Sequence, residues 1–448
     1  MRRPTILCAV ALATAVPLHA QAPLTLHEAF RRADSAAYVN RIAGGNARAR
    51  DAQATASLQG ILPTVRAEGA YVRTDNPLAA FGFTLQQRGV SAASFNPASL
   101  NYPSPVTNVS GGVVAELPIL NVDAWFGRTA ASSAAAAEKA GSGWTRETTR
   151  VDVTRAYFGA VFAREQVRTL ESATTAGQAH VRQAESMVTN GLATRSDALL
   201  ASVQMGQLDA QLIGARGNAA IARERLALLL GQPGDTAFTL PDSLPSAARI
   251  RTLVTPSTRD IAATRLDVTA ARLGLDAAQR DVRRANAKYI PRLNGFGRYD
   301  WNSPGQLFGG PASYTVGVVA SWSPFTGASE IADRRAAQGR ADAARAMAEG
   351  AAAGAALERN VTATQRAVAI AQLAIAEISV TQGAEAHRIV AKKYTGGLAT
   401  IAELLSAAAL ETQTRLGLSE ARYQAIVADA AARKAAGADL MALTVLEN

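Results

Sequence analysis

The strongest constraint on this chain is that it contains the same unit twice. Gly-Leu-Ala-Thr occupies residues 191–194 and again 397–400, 206 positions later. Pro118 and Pro324 share that offset, as do Gly231 and Gly437, and Asp197 and Glu403. Self-similarity at a fixed offset marks a repeated structural unit, so both halves must fold into the same succession of elements.

That succession is a short helix, two strands, a very long helix and a shorter one. In the first half, residues 24–63 read as a helix, with Thr25 and Glu28 spaced as a capping box and Pro63 as the stop. A strand over about 64–74 follows, then a loop rich in Pro, Asn, Ser and Phe, then a strand over about 109–118. Val109, Val113, Ala115 and Leu117 share one face of this second strand, while Ser110 and Glu116 share the other. Beyond Pro118 a helical pattern reaches Gly191, and another runs from Thr194 to the Gly231-Gln232-Pro233 stop. The second half supplies a helix over 259–291, strands over about 292–301 and 313–323, and a long helix after Pro324. It then turns at Gly397 and closes with a helix to Gly437. Apolar and small residues recur at spacings of three and four from Val153 to Val188 and from Leu357 to Ile378, the pattern of a coiled-coil seam. The expected organisation is a first repeat over 23–231, a linker over 232–258, a second repeat over 259–437 and a short tail over 438–448.

Residues 1–20 read as a secretory signal, with Arg2 and Arg3 ahead of an apolar core and Leu18-His19-Ala20 at the cleavage site. The single cysteine, Cys8, lies inside that core, so no disulfide is expected in the exported protein. The formal charge of +10 is spread as scattered arginines with no dense basic cluster, which argues against a nucleic-acid partner. No catalytic motif, phosphate loop or dinucleotide fingerprint is present, and His27, His180 and His387 lack metal-ligand spacing. No enzyme activity, metal or cofactor is therefore expected.

A strand of about ten residues, tilted, has the length to cross a bilayer, and lipid accepts only helices and closed barrels. Four strands per chain cannot close, because the smallest outer-membrane barrels have eight. Two chains would give an eight-stranded barrel filled by its own side chains, and three would give twelve strands around a lumen. The Leu24–Phe30 segment, the helix-Ile61-Leu62-Pro63-strand join, the strand-proline joins at Pro118 and Pro324 and the two Gly-Leu-Ala-Thr turns resemble those of the TolC-type outer-membrane efflux proteins. The resemblance covers essentially the whole chain after the signal, in order. It implies a mainly α fold with a β-barrel part: a homotrimer with a 12-stranded barrel in outer-membrane lipid and an α-helical tunnel through the periplasm. It also implies an exit duct for a tripartite efflux or type I secretion system, with a periplasmic adaptor and an inner-membrane pump or ABC exporter as partners. A periplasmic or cell-surface coiled-coil scaffold or adhesin is the alternative, but a stalk has no need of four amphipathic strands.

Under this resemblance the Gly-Leu-Ala-Thr turns fall at the periplasmic tip. Gly191, Leu192, Gly397 and Leu398 become adaptor-contact candidates, against the alternative of glycine C-caps with leucines packed on the neighbouring turn. Glu403 falls near a position where the family places an acidic constriction, and Asp197 is its counterpart. Both also complete a Thr-x-x-acid capping arrangement that needs no pore. Ser406 stands where a second acid is frequent and Ala399 where a tip arginine is frequent, with Arg195 and Tyr394 as substitutes. Leu117, Tyr314 and Trp322 are expected to face lipid, Trp322 at an interface.

Overall fold

A computed structural model describes residues 23–253 and 265–447. The expected signal at 1–20 and the first residues of the helix expected from 259 lie outside the described residues. The first half runs α1 (Leu26–Ala36), α2 (Tyr38–Ala56), β1 (Thr64–Thr74), α3 (Pro77–Gln86), α4 (Pro97–Asn101), β2 (Val106–Leu120), α5 (Val122–Thr189) and α6 (Arg195–Leu229). After α7 (Ala247–Arg251), the second half runs α8 (Leu266–Ala287), β3 (Arg292–Ser303), β4 (Ala312–Ser321), α9 (Ser329–Thr395) and α10 (Ile401–Ala435). A 3₁₀ segment, Leu440–Glu447, closes the chain.

The helix expected over 24–63 is broken. Ala37 is extended (φ −56°, ψ 130°); its N–H still closes α1 on the Ala33 carbonyl, which also accepts from Asn40 Nδ2, 3.0 Å away. Thr149 Oγ1 in turn donates to Asn40 Oδ1 at 2.9 Å, so the break is fixed by α5 and not by local sequence alone. Thr25 caps α1 by accepting from the Glu28 N–H, but the Glu28 side chain turns to Arg31 and Arg32 instead of completing the box.

At about 1.5 Å per residue, the 68 residues of α5 and the 67 of α9 each reach about 100 Å. Small residues let their neighbours approach closely. Ala341, Ala348, Ala355, Thr362 and Ala369 are buried on one face of α9 at intervals of seven, where it packs on α8 and α10. In α5 the seam residues Val153, Ala160, Ala163, Leu170 and Ala184 are likewise buried within the chain. The second seam behaves differently, since Leu357, Val361, Val368, Ile375 and Ile378 are all exposed. The two seams therefore lie on different helix faces: Ala369 and Leu373, not Val368, match Ala163 and Val167 at the 206-residue offset.

The largest core is a belt at mid-helix, where Val153, Tyr157, Phe158 and Val161 meet Phe30, Leu226, Leu244, Ile250, Leu373 and Ile426. The C-terminal segment belongs to it, because Leu440, Leu443 and Leu446 are buried there. The Tyr157 hydroxyl is shared between the Leu24 carbonyl, 2.8 Å away, and the Glu447 carboxylate, which also accepts from the Leu26 N–H at 2.6 Å. The two ends of the described chain are thus tied to one tyrosine.

The strands form one antiparallel sheet in the order β1-β2-β3-β4. The register puts Arg66, Glu68, Glu116, Arg298 and Asp300 on one face, and Val65, Tyr71, Val113, Leu117, Tyr299, Tyr314, Val316 and Val318 on the other. On the polar face Arg66 reaches Glu116 at 2.7 Å and Glu68 at 2.9 Å, and Arg298 reaches Asp300 at 2.7 Å and Glu68 at 3.5 Å. The loop between β1 and β2 carries α3, and Gln87 at its end binds the Thr107 carbonyl and the Asn108 side chain.

Candidate functional site

The sheet and the paired Gly-Leu-Ala-Thr turns lie at opposite ends of the long helices. At the turn end, both hairpins are built alike. The Gly191 N–H donates to the Val188 carbonyl at 3.0 Å and the Leu192 N–H to the Met187 carbonyl at 2.8 Å, and Gly397 and Leu398 repeat this with Tyr394 and Lys393 at 3.1 and 2.8 Å. This Schellman closure requires a left-handed residue, met by Gly191 at φ +70° and Gly397 at φ +71°. Open space surrounds both glycines, so φ and not room selects them. The leucine after each glycine does not pack on the neighbouring turn: Leu192 is 74% exposed and Leu398 81%.

The next helix of each hairpin begins with a complete capping box. Asp197 Oδ2 accepts from the Thr194 N–H at 2.9 Å and from its hydroxyl at 2.8 Å; Glu403 Oε2 accepts from the Thr400 N–H at 2.6 Å and from its hydroxyl at 3.0 Å. These hydrogen bonds hold both carboxyls below their ordinary range, chiefly through the backbone N–H. Between the hairpins a small core of Ala184, Ala201, Tyr394, Ile401, Leu404 and Leu405 joins α5, α6, α9 and α10 into one tip, with Ala399 packed against it.

Of the aperture candidates, Arg195, Glu403 and Ser406 are exposed and Asp197 is half-buried. Tyr394 stands apart: it is buried in the tip core, its hydroxyl has no hydrogen-bond partner, and burial followed by the charge of Asp197 raises its pKa. At the sheet end, Leu117 and Tyr314 lie exposed on the apolar face. Trp322 falls one residue beyond β4, not within it; it is exposed, and its indole N–H donates to the Tyr289 carbonyl at 3.2 Å.

Sequence reasoning missed one pairing. His180 and His387, read as scattered, stack edge to face with ring centres 5.7 Å apart. The available signal was position, since each lies about three helical turns before its tip glycine.

Residues 43–232 and 258–438 match the family model described as outer membrane efflux protein. No curated protein matches the chain. Among solved structures it is similar to the outer membrane protein VceC of Vibrio cholerae, at 21% identity and a TM-score of 0.76, covering 92% of this chain and 96% of that one. A membrane protein from Pseudomonas aeruginosa gives 18% identity and a TM-score of 0.78, with 96% and 100% covered. The Campylobacter jejuni CmeC outer membrane channel gives 16% and 0.76, with 98% and 93% covered. At these identities the structural likeness is one of fold.

Proposed function

The chain belongs to the outer membrane efflux protein family, and from that premise we propose that three copies close a 12-stranded barrel in the outer membrane above a periplasmic helical tunnel. The duct passes substrate delivered by an inner-membrane pump through a periplasmic adaptor. The observation that carries this reading is the two-faced sheet with two open edges. Its apolar face suits lipid and its charged face suits water, and β1 and β4 each leave a row of backbone groups that lipid cannot satisfy. β1 and β4 run antiparallel, so adjoining copies continue the same ladder. Two copies would fill the interior with side chains such as Arg66, Phe296 and Arg298, whereas three leave a lumen. A coiled-coil stalk or adhesin is not favoured, because it gives that sheet nothing to do.

Leu117, Tyr314 and Trp322 then face lipid, with Trp322 at the level where strand gives way to helix. The exposed Leu192 and Leu398, each on a rigid Schellman turn, are offered to the adaptor. Asp197 and Glu403, with Arg195 and Ser406 beside them, are proposed to line the tip opening, where a ring of carboxylates favours cations. Single-channel conductance of the reconstituted protein tests both parts. A small, cation-preferring conductance that rises and loses selectivity in an Asp197→Ala/Glu403→Ala variant is the expected result. Unchanged conductance in the variant reduces both carboxylates to helix caps, and a folded trimer that does not conduct overturns the duct.

A further inference from the structure

We propose that His180 and His387 form a binding site for a late first-row transition-metal ion, of which Zn2+ is the probe, inside the four-helix tip of each chain. The site stands independently of whether the chain conducts. Its cavity of about 170 Å³ draws a side chain from every helix of the tip: His180 from α5, Met205 from α6, His387 from α9 and Glu411 from α10. The Nε2 atoms of both histidines are buried and make no hydrogen bond. Leaving a buried ring nitrogen unpaired is costly, and two such atoms on adjoining rings point to a shared partner.

His387 Nδ1 is hydrogen-bonded to the Glu411 carboxylate, which is also paired with Arg415. A carboxylate that accepts from Nδ1–H leaves the Nε2 lone pair free, and this is how carboxylates orient metal-ligating histidines. The ring spacing fits as well. With metal–nitrogen bonds of about 2.0–2.1 Å, two imidazoles on one ion have centres about 5 Å apart at a tetrahedral angle and about 6 Å apart at a linear one. The observed 5.7 Å lies between these limits. Among the described residues no group of three or more His, Cys, Asp or Glu is placed to hold one ion, so the two histidines are the chain's ligands and water takes the remaining positions, with the Met205 thioether on the cavity wall. That sulfur lies beside Gly177, one turn before His180.

An ion held here joins one hairpin to the other, α5/α6 to α9/α10, just above the tip turns. The experiment is Zn2+ titration of the untagged, detergent-solubilised full-length protein by calorimetry, with thermal unfolding followed in parallel. One Zn2+ per chain is expected, with a rise in unfolding temperature on binding. His180→Ala and His387→Ala each abolish both, and Glu411→Gln weakens binding about 10- to 100-fold. His27→Ala, on the exposed surface of α1, leaves both unchanged. Because the wild-type chain is itself the primary sample, a folded protein that binds no Zn2+ overturns the site. Binding that survives the His180→Ala/His387→Ala pair also overturns it.

Discussion

At the residue scale, the carboxylates at the tip are helix caps before they are anything else, and that makes their pH response specific. Their folded pKa values lie below the unfolded ones, about 3.9 for Asp and 4.3 for Glu. A depressed carboxyl contributes its stability above the unfolded value and loses it as pH falls through the folded value. Hydrogen exchange at the Thr194 and Thr400 amides, which donate to these carboxylates, is therefore expected, after correction for intrinsic rates, to stay level from pH 8 to about 5 and to quicken only below about 4. Loss of protection between pH 7 and 5 would sink this account and point to a group titrating there. The two boxes were legible in the sequence because Thr-x-x-Asp and Thr-x-x-Glu are local arrangements. The burial of Tyr394 was not, since it depends on Ala184, Ala201 and Ile401 arriving from other helices.

At the element scale, the duplication has kept a glycine at one crossing while its surroundings diverged. Gly177 and Gly383 are 206 apart, each facing the returning helix of its hairpin. A Cβ on Gly383 would sit 2.7 Å from Thr414 Oγ1, a β-branched side chain whose hydroxyl is engaged with the Glu411 carbonyl. A Cβ on Gly177 would meet the flexible ends of Leu208 and Met205 at 3.1 Å. Gly383→Ala is expected to destabilise, because overpacking of about 1–3 kcal/mol exceeds the gain of about 1 kcal/mol in helix propensity. Gly177→Ala should be neutral or mildly stabilising. Denaturant unfolding of the two variants checks this, and equal shifts would refute the steric argument. Element order was legible because the period changes from 3.6 to 2 and back at prolines. The break at Ala37 and the docking of Leu440–Glu447 were not, because Asn40–Thr149 and Tyr157–Glu447 are contacts between residues more than 100 positions apart.

At the scale of the whole molecule, the chain is unfinished in two places at once. The sheet has two bare edges at one end, and α9 carries a bare apolar seam along its middle. Among the described helices α9 is also the one apolar enough, by length and composition, to cross a membrane. Its exposed Leu357, Val361, Val368, Ile375 and Ile378 follow a coiled-coil spacing, which suits a partner helix better than lipid, to which a helix can show any side. Exposed apolar residues, Val203, Ile213, Ile221 and Leu228, also lie on α6. Closing the barrel brings neighbouring copies side by side, so the seam and the edges call for the same assembly. Ile375→Lys/Ile378→Lys is therefore expected to shift the proposed trimer to monomer in native mass spectrometry while leaving its helical circular dichroism intact, since neither side chain is buried within its own chain. Ala369→Lys, on the buried face of the same helix, should instead unfold the chain's own packing and lower helicity along with assembly. If the double lysine variant remained fully trimeric, the seam would not lie between copies, and assembly would rest on the strand edges alone.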